Sequence, residues 1–417
     1  MRKDLLITFI TEGLVLLCSL FVYRLAKQNL GTEGFAVYAL CRRTHSFLAP
    51  AVLLGCSVAI PRFIAYSKVN DEAKADSYFK AGILLIGIST LLFFILINAF
   101  SEQAAGLLFG ERNLANLALP LSIMMVGYIL HSLCYAYFRG HTRMIVANEL
   151  QIINIAVIPL VAMSFAESAV AVLTWTGIGW LVTASAVLLI FILPNLSGKI
   201  SNMHLKELFS FGIQRIPADF GAAALFGLPA TLTAHTSGVV AGGHVAFSIS
   251  LLAMCGAVFT PIGLVLLPKA SAALARRESA SIKRYLKIVL FGSTVVSFML
   301  TIGFEIAAEP ILHLYLGRSV EQDLIAATRI TILAAVPYGI YVASRSLIDA
   351  FFAKAVNALN ILLALGLFLS LAVGTNILQQ HLFTPVGALV AALYLLGIAT
   401  LVACTRITHI ITTQEAD

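Results

Sequence analysis

The sequence predicts an all-α membrane protein: twelve transmembrane helices in two six-helix lobes related by a pseudo-two-fold axis. Three observations lead there. Only 11% of the 417 residues are charged and 60% are hydrophobic, whereas a soluble domain carries roughly 25% charged residues. Apolar runs of about 18 to 28 residues recur from end to end, each long enough to cross a bilayer core. Landmarks of the first half return in the second at an offset of about 207 residues.

Taken in order, the first span (5–26) follows Arg2 and Lys3, lacks a small-residue cleavage site after it, and is expected to be a retained signal-anchor. The second (36–65) opens after a turn containing Gly31 and Gly34 and carries Pro50. A polar loop leads to the third (81–100), and GLLFGERN (106–113) separates it from the fourth (118–138). Arg139 and Arg143 precede the fifth (148–166), and a short turn joins that to the sixth (170–193). After Lys199 and Lys206 come the seventh (208–235), with Pro217 and Pro229, and the eighth (243–267), entered through Gly238, Gly242 and Gly243 and holding Pro261. The polar connection Pro268 to Lys287 precedes the ninth (288–307). The tenth (325–352) contains Pro337, and the eleventh (358–376) and twelfth (385–404) complete the set. Spans longer than about 20 residues must tilt or bend, and each interior proline removes a backbone hydrogen bond and invites a kink.

Lys and Arg in the loops orient the chain. With the N-terminus inside, seventeen basic residues fall on the cytoplasmic side, and only Lys27, Arg112 and Arg318 fall outside. Both termini are therefore expected in the cytoplasm. The net charge of +7 follows from this bias and from attraction to anionic lipid headgroups. Nucleic-acid binding is not expected, because the cations are scattered over loops and termini. The six cysteines, Cys18, Cys41, Cys56, Cys134, Cys255 and Cys404, all fall inside spans without metal-ligand spacing, and read as small apolar filler. No cofactor or metal is expected. His131, His235, His244 and His313 are scattered.

The repeat divides the chain into lobes 1–200 and 201–417. Pro61-Arg62-Phe63-Ile64-Ala65 ends the second span and Pro268-Lys269-Ala270-Ser271-Ala272 the eighth. A leucine-rich stretch ends at Gly110 after the third span and at Gly317 after the ninth. Six spans per lobe is an even number, so the lobes face the same way.

These features resemble the polysaccharide flippases of the multidrug/oligosaccharidyl-lipid/polysaccharide exporter superfamily (MATE-like). LGTEGFAVYAL (30–40), with Gly31, Gly34 and Tyr38, looks like that family's entry into its second helix, and PRFIA (61–65) and LLFGERN (107–113) look like further landmarks. The resemblance covers essentially the whole chain. It implies a V-shaped transporter that rocks between inward-open and outward-open states in the bacterial inner membrane. The cargo it implies is an undecaprenyl-pyrophosphate-linked oligosaccharide such as an O-antigen repeat unit, flipped to the periplasmic leaflet for lipopolysaccharide biosynthesis. The partners would be that lipid-linked substrate, inner-membrane lipids, a glycan polymerase and chain-length regulator, and a coupling H+ or Na+.

Charged groups in the spans are the pointer to cargo. A charge near the bilayer centre costs at least about 3 kcal/mol on insertion scales, and a guanidinium cannot escape by losing its proton. Arg24, Arg42, Arg43, Arg215 and Arg345 are the candidates for a cationic cavity. Arg42, His45, Ser46 and Ala49 fall at i, i+3, i+4 and i+7 on one helix face. Arg43 points about 100° away, towards a neighbouring helix or the cavity edge. Arg215 and Asp219, and Arg345 and Asp349, are spaced i, i+4, so each pair can bridge along its helix; the two arginines sit at similar depth. Tyr338, Tyr341 and Arg345 share a face. Arg24, close to Lys27, also fits snorkelling to the outer surface. Arg62 and Arg329 look like boundary residues. Glu12 is the intramembrane acid without an obvious same-helix partner, fit for ion coupling or for an interhelical hydrogen bond.

Two other classes compete. A cationic-drug exporter of the same fold would need an acidic cavity, whereas deep arginines here outnumber acids without a ready partner. A glycan-assembly enzyme would normally use a long outside loop, and none exceeds about twenty residues. The chain holds no G-x-x-x-x-G-K-[ST], H-E-x-x-H or G-x-S-x-G motif; without ATP, movement would draw on an ion gradient or on consumption of the product.

Overall fold

The structure, a computed structural model, describes residues 2–68, 71–260, 262–263, 266, 270, 273–274, 278–317, 320–352, 355–376 and 384–416. They fold into two compact units, residues 1–223 with 238–243 and residues 224–237 with 244–417. Pro261, the landmark residues Pro268, Lys269, Ser271 and Ala272, and Arg318 lie outside the described residues.

The first unit contains α1 (Arg2–Leu53), α2 (Cys56–Lys68), α3 (Glu72–Ala99), α4 (Ser101–Phe109), α5 (Ala118–Gly140), α6 (Met144–Gln151), α7 (Ile158–Phe165), α8 (Ala169–Ala186) and the first part of α9 (Asn202–Ser237). The second contains the rest of α9, most of α10 (Val239–Ala257), then α11 (Ser279–Leu316), α12 (Gln322–Ile332), α13 (Ala335–Phe351), α14 (Val356–Asn376) and α15 (Thr384–Ala416). Local chemistry sets several boundaries. The Asp71 carboxylate caps α3 by accepting from the Lys74 N–H, and the Ser168 hydroxyl caps α8 by accepting from the Ala171 N–H. Gly110 and Gly317, the paired landmarks, both have positive φ where α4 and α11 end.

Among the described residues, ten helices are long and apolar enough to cross a membrane, and the pair α12–α13, bent by 46°, makes an eleventh. The first of the ten, Leu6–Leu53, has 48 residues and is broken at Gly31 (φ 66°, ψ −167°). At about 1.5 Å per residue an unbroken rod would run roughly 70 Å, more than twice a ~30 Å bilayer core. Counting its two arms separately gives the twelve spans expected. The expected second span (36–65) is itself interrupted, at Leu54 (φ 51°) and Gly55 (φ 69°) rather than at Pro50. A Cβ on Gly55 would lie 2.6 Å from the Gly212 carbonyl oxygen, so backbone meets backbone here.

In the first unit α5 packs against α8, α2 and α3. Gly127 and Gly177 let α5 and α8 touch: a Cβ on Gly177 would sit 2.6 Å from the Met124 nitrogen. The segment after α8 is tied to α3, with Ser197 donating to Asp76 through N–H (2.8 Å) and hydroxyl (2.9 Å), and Lys80 donating to the Gly198 carbonyl at 2.8 Å. In the second unit α13 packs against α11 and α15. Pro337 offers no N–H to the Leu333 carbonyl, and the Tyr394 hydroxyl donates to that oxygen instead, at 3.3 Å, beside the 46° bend.

Candidate functional site

A cavity of about 520 Å³ opens inside the first unit. Two helical stripes build most of its wall. From α1 come Tyr38, Arg42, His45, Ser46, Ala49, Pro50 and Leu53, all at helical spacing. From α5 come Met124, Tyr128, His131, Ser132, Tyr135 and Arg139. Gln151, Thr176, Trp180 and Asp219 add polar groups from α6, α8 and α9. Arg42 is held in place: it donates to the Ser19 hydroxyl at 3.1 Å, lies 5.0 Å from the Tyr23 ring centroid and meets the Tyr38 hydroxyl. Arg139 is exposed, lies 5.4 Å from the Tyr135 ring centroid and has Glu12 of α1 as its electrostatic neighbour. Asp219 pairs with Arg215 at 3.6 Å. The arrangement can present permanent positive charge and aromatic faces to one guest.

The deep wall is fixed by a backbone irregularity. Residues Ile152–Val157 form a π-helical turn, after which the Ile158 N–H bonds to the Ile153 carbonyl. The next donor would come from Pro159, which has no N–H. The Asn154 carbonyl is thereby left for another partner, and the Trp180 indole N–H donates to it. Such π-turns are recurrent at functional positions. The Asn154 side chain is also used at both ends: its oxygen accepts from the Thr183 hydroxyl, and its nitrogen donates to His131 Nδ1 at 3.0 Å. His131 Nδ1 is thus an acceptor, so Nε2 carries the proton and donates to Gln151 Oε1 at 3.0 Å. His45 differs. It is 5% exposed, and its Nε2 has no hydrogen-bond partner among the described residues. Its ring packs edge-on against Tyr128, 5.0 Å between centroids, and lies 5.9 Å from Trp180. A buried polar atom left unsatisfied costs about 1–3 kcal/mol.

No protein-family model and no curated protein matches the chain. Solved structures do. An inward-facing multidrug resistance MATE family transporter of the MOP superfamily aligns over 97% of this chain and 96% of its own, with a TM-score of 0.77 and 14% identity. The lipid II flippase MurJ, in an inward closed conformation, aligns over 99% of this chain and 91% of its own, with a TM-score of 0.67 and 13% identity. A MATE transporter in complex with MaL6 aligns over 100% and 97%, with a TM-score of 0.66 and 14% identity. The chain has the MATE-like transporter fold.

Within this MATE-like fold the sequence-derived candidates separate. Arg42, His45 and Asp219 line the cavity; Arg215 reaches it through Asp219, and Glu12 is an electrostatic neighbour of the lining residue Arg139. Arg43 is half-buried beside the α1 stripe and does not line the cavity, and Arg24 is exposed on the first arm of α1. Arg345, Asp349, Tyr338 and Tyr341 belong to the second unit. There the expected Arg345–Asp349 bridge is replaced: Asn357 Nδ2 donates to the Asp349 carboxylate at 2.7 Å and to the Arg345 carbonyl at 2.8 Å, and Arg345 meets the Tyr341 hydroxyl. Asn357 comes from α14, a partner that spacing within one helix does not reveal. Tyr338 packs between Phe226, at 4.9 Å, and the backbone at Gly256. Arg329 holds the Glu305 carboxylate at 3.2 Å. Sequence reading missed Arg139, taken for a loop cation, along with His131, Gln151 and Trp180. Tyr128, His131, Ser132, Tyr135 and Arg139 form a polar stripe at helical spacing as legible as the one on α1. Among the described residues, no group of three or more His, Cys, Asp or Glu side chains could hold a metal ion.

Proposed function

We propose that this chain is a flippase for an undecaprenyl-pyrophosphate-linked oligosaccharide, such as an O-antigen repeat unit, working by alternating access between lobes 1–200 and 201–417. It would act in a bacterial inner membrane with both termini cytoplasmic. One observation carries the reading: Arg42 and Arg139 line the same 520 Å³ cavity, which is also faced by aromatic rings. A cavity of that size accommodates a small polar headgroup, and arginine offers planar donors matched to phosphate oxygens. Similarity of fold to a protein described as a lipid II flippase is in keeping with a lipid-linked cargo.

In this mechanism the headgroup enters the cavity from the cytoplasmic leaflet while the polyprenyl tail stays in lipid. Arg42 and Arg139 replace water around the diphosphate, and Arg345, in the second unit, is a further cation proposed for the path. The breaks at Gly31, at Leu54–Gly55 and before Pro337 are the points where helices can change direction. Glu12, beside Arg139, is the group suited to couple H+ or Na+.

A second reading, an exporter of small cationic molecules, is favoured by one observation: the Asp219 carboxylate faces the cavity. Arg215 at 3.6 Å offsets that charge, which makes the anionic cargo the better match. The test is complementation of a strain lacking its flippase. Arg42→Ala, Arg139→Ala and Arg345→Ala proteins should reach the membrane yet fail to restore surface glycan, with Lys replacements retaining more function. Full activity in all three Ala variants would remove the cationic path.

A further inference from the structure

We propose that the cavity has a second, uncharged subsite beside its arginines: His45, Tyr128 and Trp180 form a three-ring box that receives a hydroxyl-bearing sugar ring. The inference rests on the flippase reading and assigns the sugar-recognising part of that site. The three rings touch pairwise, at 5.0 Å for His45–Tyr128 and 5.9 Å for both His45–Trp180 and Tyr128–Trp180. All three residues line the cavity.

Two features make this a binding wall rather than ordinary packing. The first is His45, a residue of the cavity wall whose buried Nε2 has no hydrogen-bond partner among the described residues. Native folds rarely leave such an atom unused, and an imidazole nitrogen suits a hydroxyl, which donates or accepts as required. The second is rigidity. Trp180 is pinned by the Asn154 carbonyl that Pro159 leaves open, so its ring is set before any ligand arrives. Preorganised aromatic faces bind with little loss of freedom. The ligand class follows from the charges. An aromatic box attracts cations, but Arg42 is the electrostatic neighbour of His45 and opposes a second positive charge there. A sugar presents apolar C–H faces to the rings and hydroxyls to Nε2, and its phosphate can reach Arg42.

Trp175 and Trp180 are the only tryptophans in the chain, and Trp175 is 59% exposed, away from the cavity lining. Trp175→Phe therefore leaves Trp180 as a fluorescent reporter of the box. In that background, methyl diphosphate and a methyl diphosphate bearing an N-acetylhexosamine should both perturb Trp180 emission, the glycosylated probe binding at least tenfold tighter. His45→Ala should erase the tenfold advantage while leaving methyl diphosphate affinity within twofold, which also reports that the variant is folded. If the sugar adds no affinity, or His45→Ala weakens both probes equally, the subsite is overturned and the arginine path stands. If neither probe binds, both readings fall. If a cationic dye competes with the glycosylated probe for the box, the uncharged assignment is wrong.

Discussion

Pro159 should hold Trp180 in place by leaving a carbonyl free for its indole, and a double-mutant cycle can measure this. In the native protein the Asn154 carbonyl has the Trp180 indole N–H as its donor, because Pro159 cannot supply one. Trp180→Phe removes that donor and leaves a carbonyl unsatisfied in a buried wall. Hydrogen bonds between membrane helices are worth about 0.6 kcal/mol on average and up to about 1.7 kcal/mol, and an orphaned buried acceptor costs about 1–3 kcal/mol. Trp180→Phe alone should therefore cost about 1–3 kcal/mol beyond its change in packing. Pro159→Ala supplies a backbone N–H that can take the carbonyl along the helix. In that background Trp180→Phe should cost about 1 kcal/mol less, since the acceptor is already satisfied. Stability is read from loss of helical circular dichroism on titration with SDS in mixed micelles, and the cycle cancels the separate effects of each substitution. A coupling within about 0.3 kcal/mol of zero would show that proline does not free the carbonyl for the indole.

Other outcomes follow from the same geometry. Arg42→Ala removes a donor that would reach a phosphate. A hydrogen bond to a charged group is worth about 1.5–3 kcal/mol, so diphosphate affinity should fall by about 10- to 150-fold in a binding titration, and Arg42→Lys should fall less. Gly55→Ala forces a side chain onto φ 69° with its Cβ 2.6 Å from the Gly212 carbonyl oxygen; backbone strain of about 1–3 kcal/mol should appear as a lower detergent melting temperature. Gly177→Val should separate α5 from α8 and lower the yield of folded protein, because a Cβ there already meets the Met124 nitrogen at 2.6 Å. His141, in the turn between α5 and α6, is held below its ordinary pKa of 6.5 chiefly by burial, with Lys68 and Arg143 adding to the effect. Its neutral form is favoured by folding, so its contribution is full above about pH 6.5 and is lost as pH falls through the lowered native value. His141→Asn should flatten the pH dependence of stability in that acid window.

Much of the architecture was legible because the bilayer imposes it. Long apolar runs must be helices, and the twelve spans, the Gly31 break and the paired glycines at 110 and 317 could be located from composition and spacing. The break at Leu54–Gly55 was not, since it depends on the distant Gly212 backbone. The site was half legible for a similar reason. The α1 stripe with Arg42 and His45 announces itself by spacing within one helix, and so does the Arg215–Asp219 pair. Asn357 reaching Asp349, Asn154 holding Trp180 and His131, and Arg139 beside Glu12 are contacts between helices, and no periodicity encodes which helix is the neighbour. Arg139 was misplaced because a cation near a span end reads as a loop residue, although its own helix carried a polar stripe leading to it.

The most direct test of the central claim is transport in proteoliposomes containing only this protein and a short-chain polyprenyl-diphosphate oligosaccharide, with leaflet position read by enzymatic access to the glycan. The account predicts movement of the lipid-linked sugar, a fall of at least tenfold with Arg42→Ala, and no transport of cationic dyes. Transport of the dyes with the lipid-linked sugar left in place would contradict it.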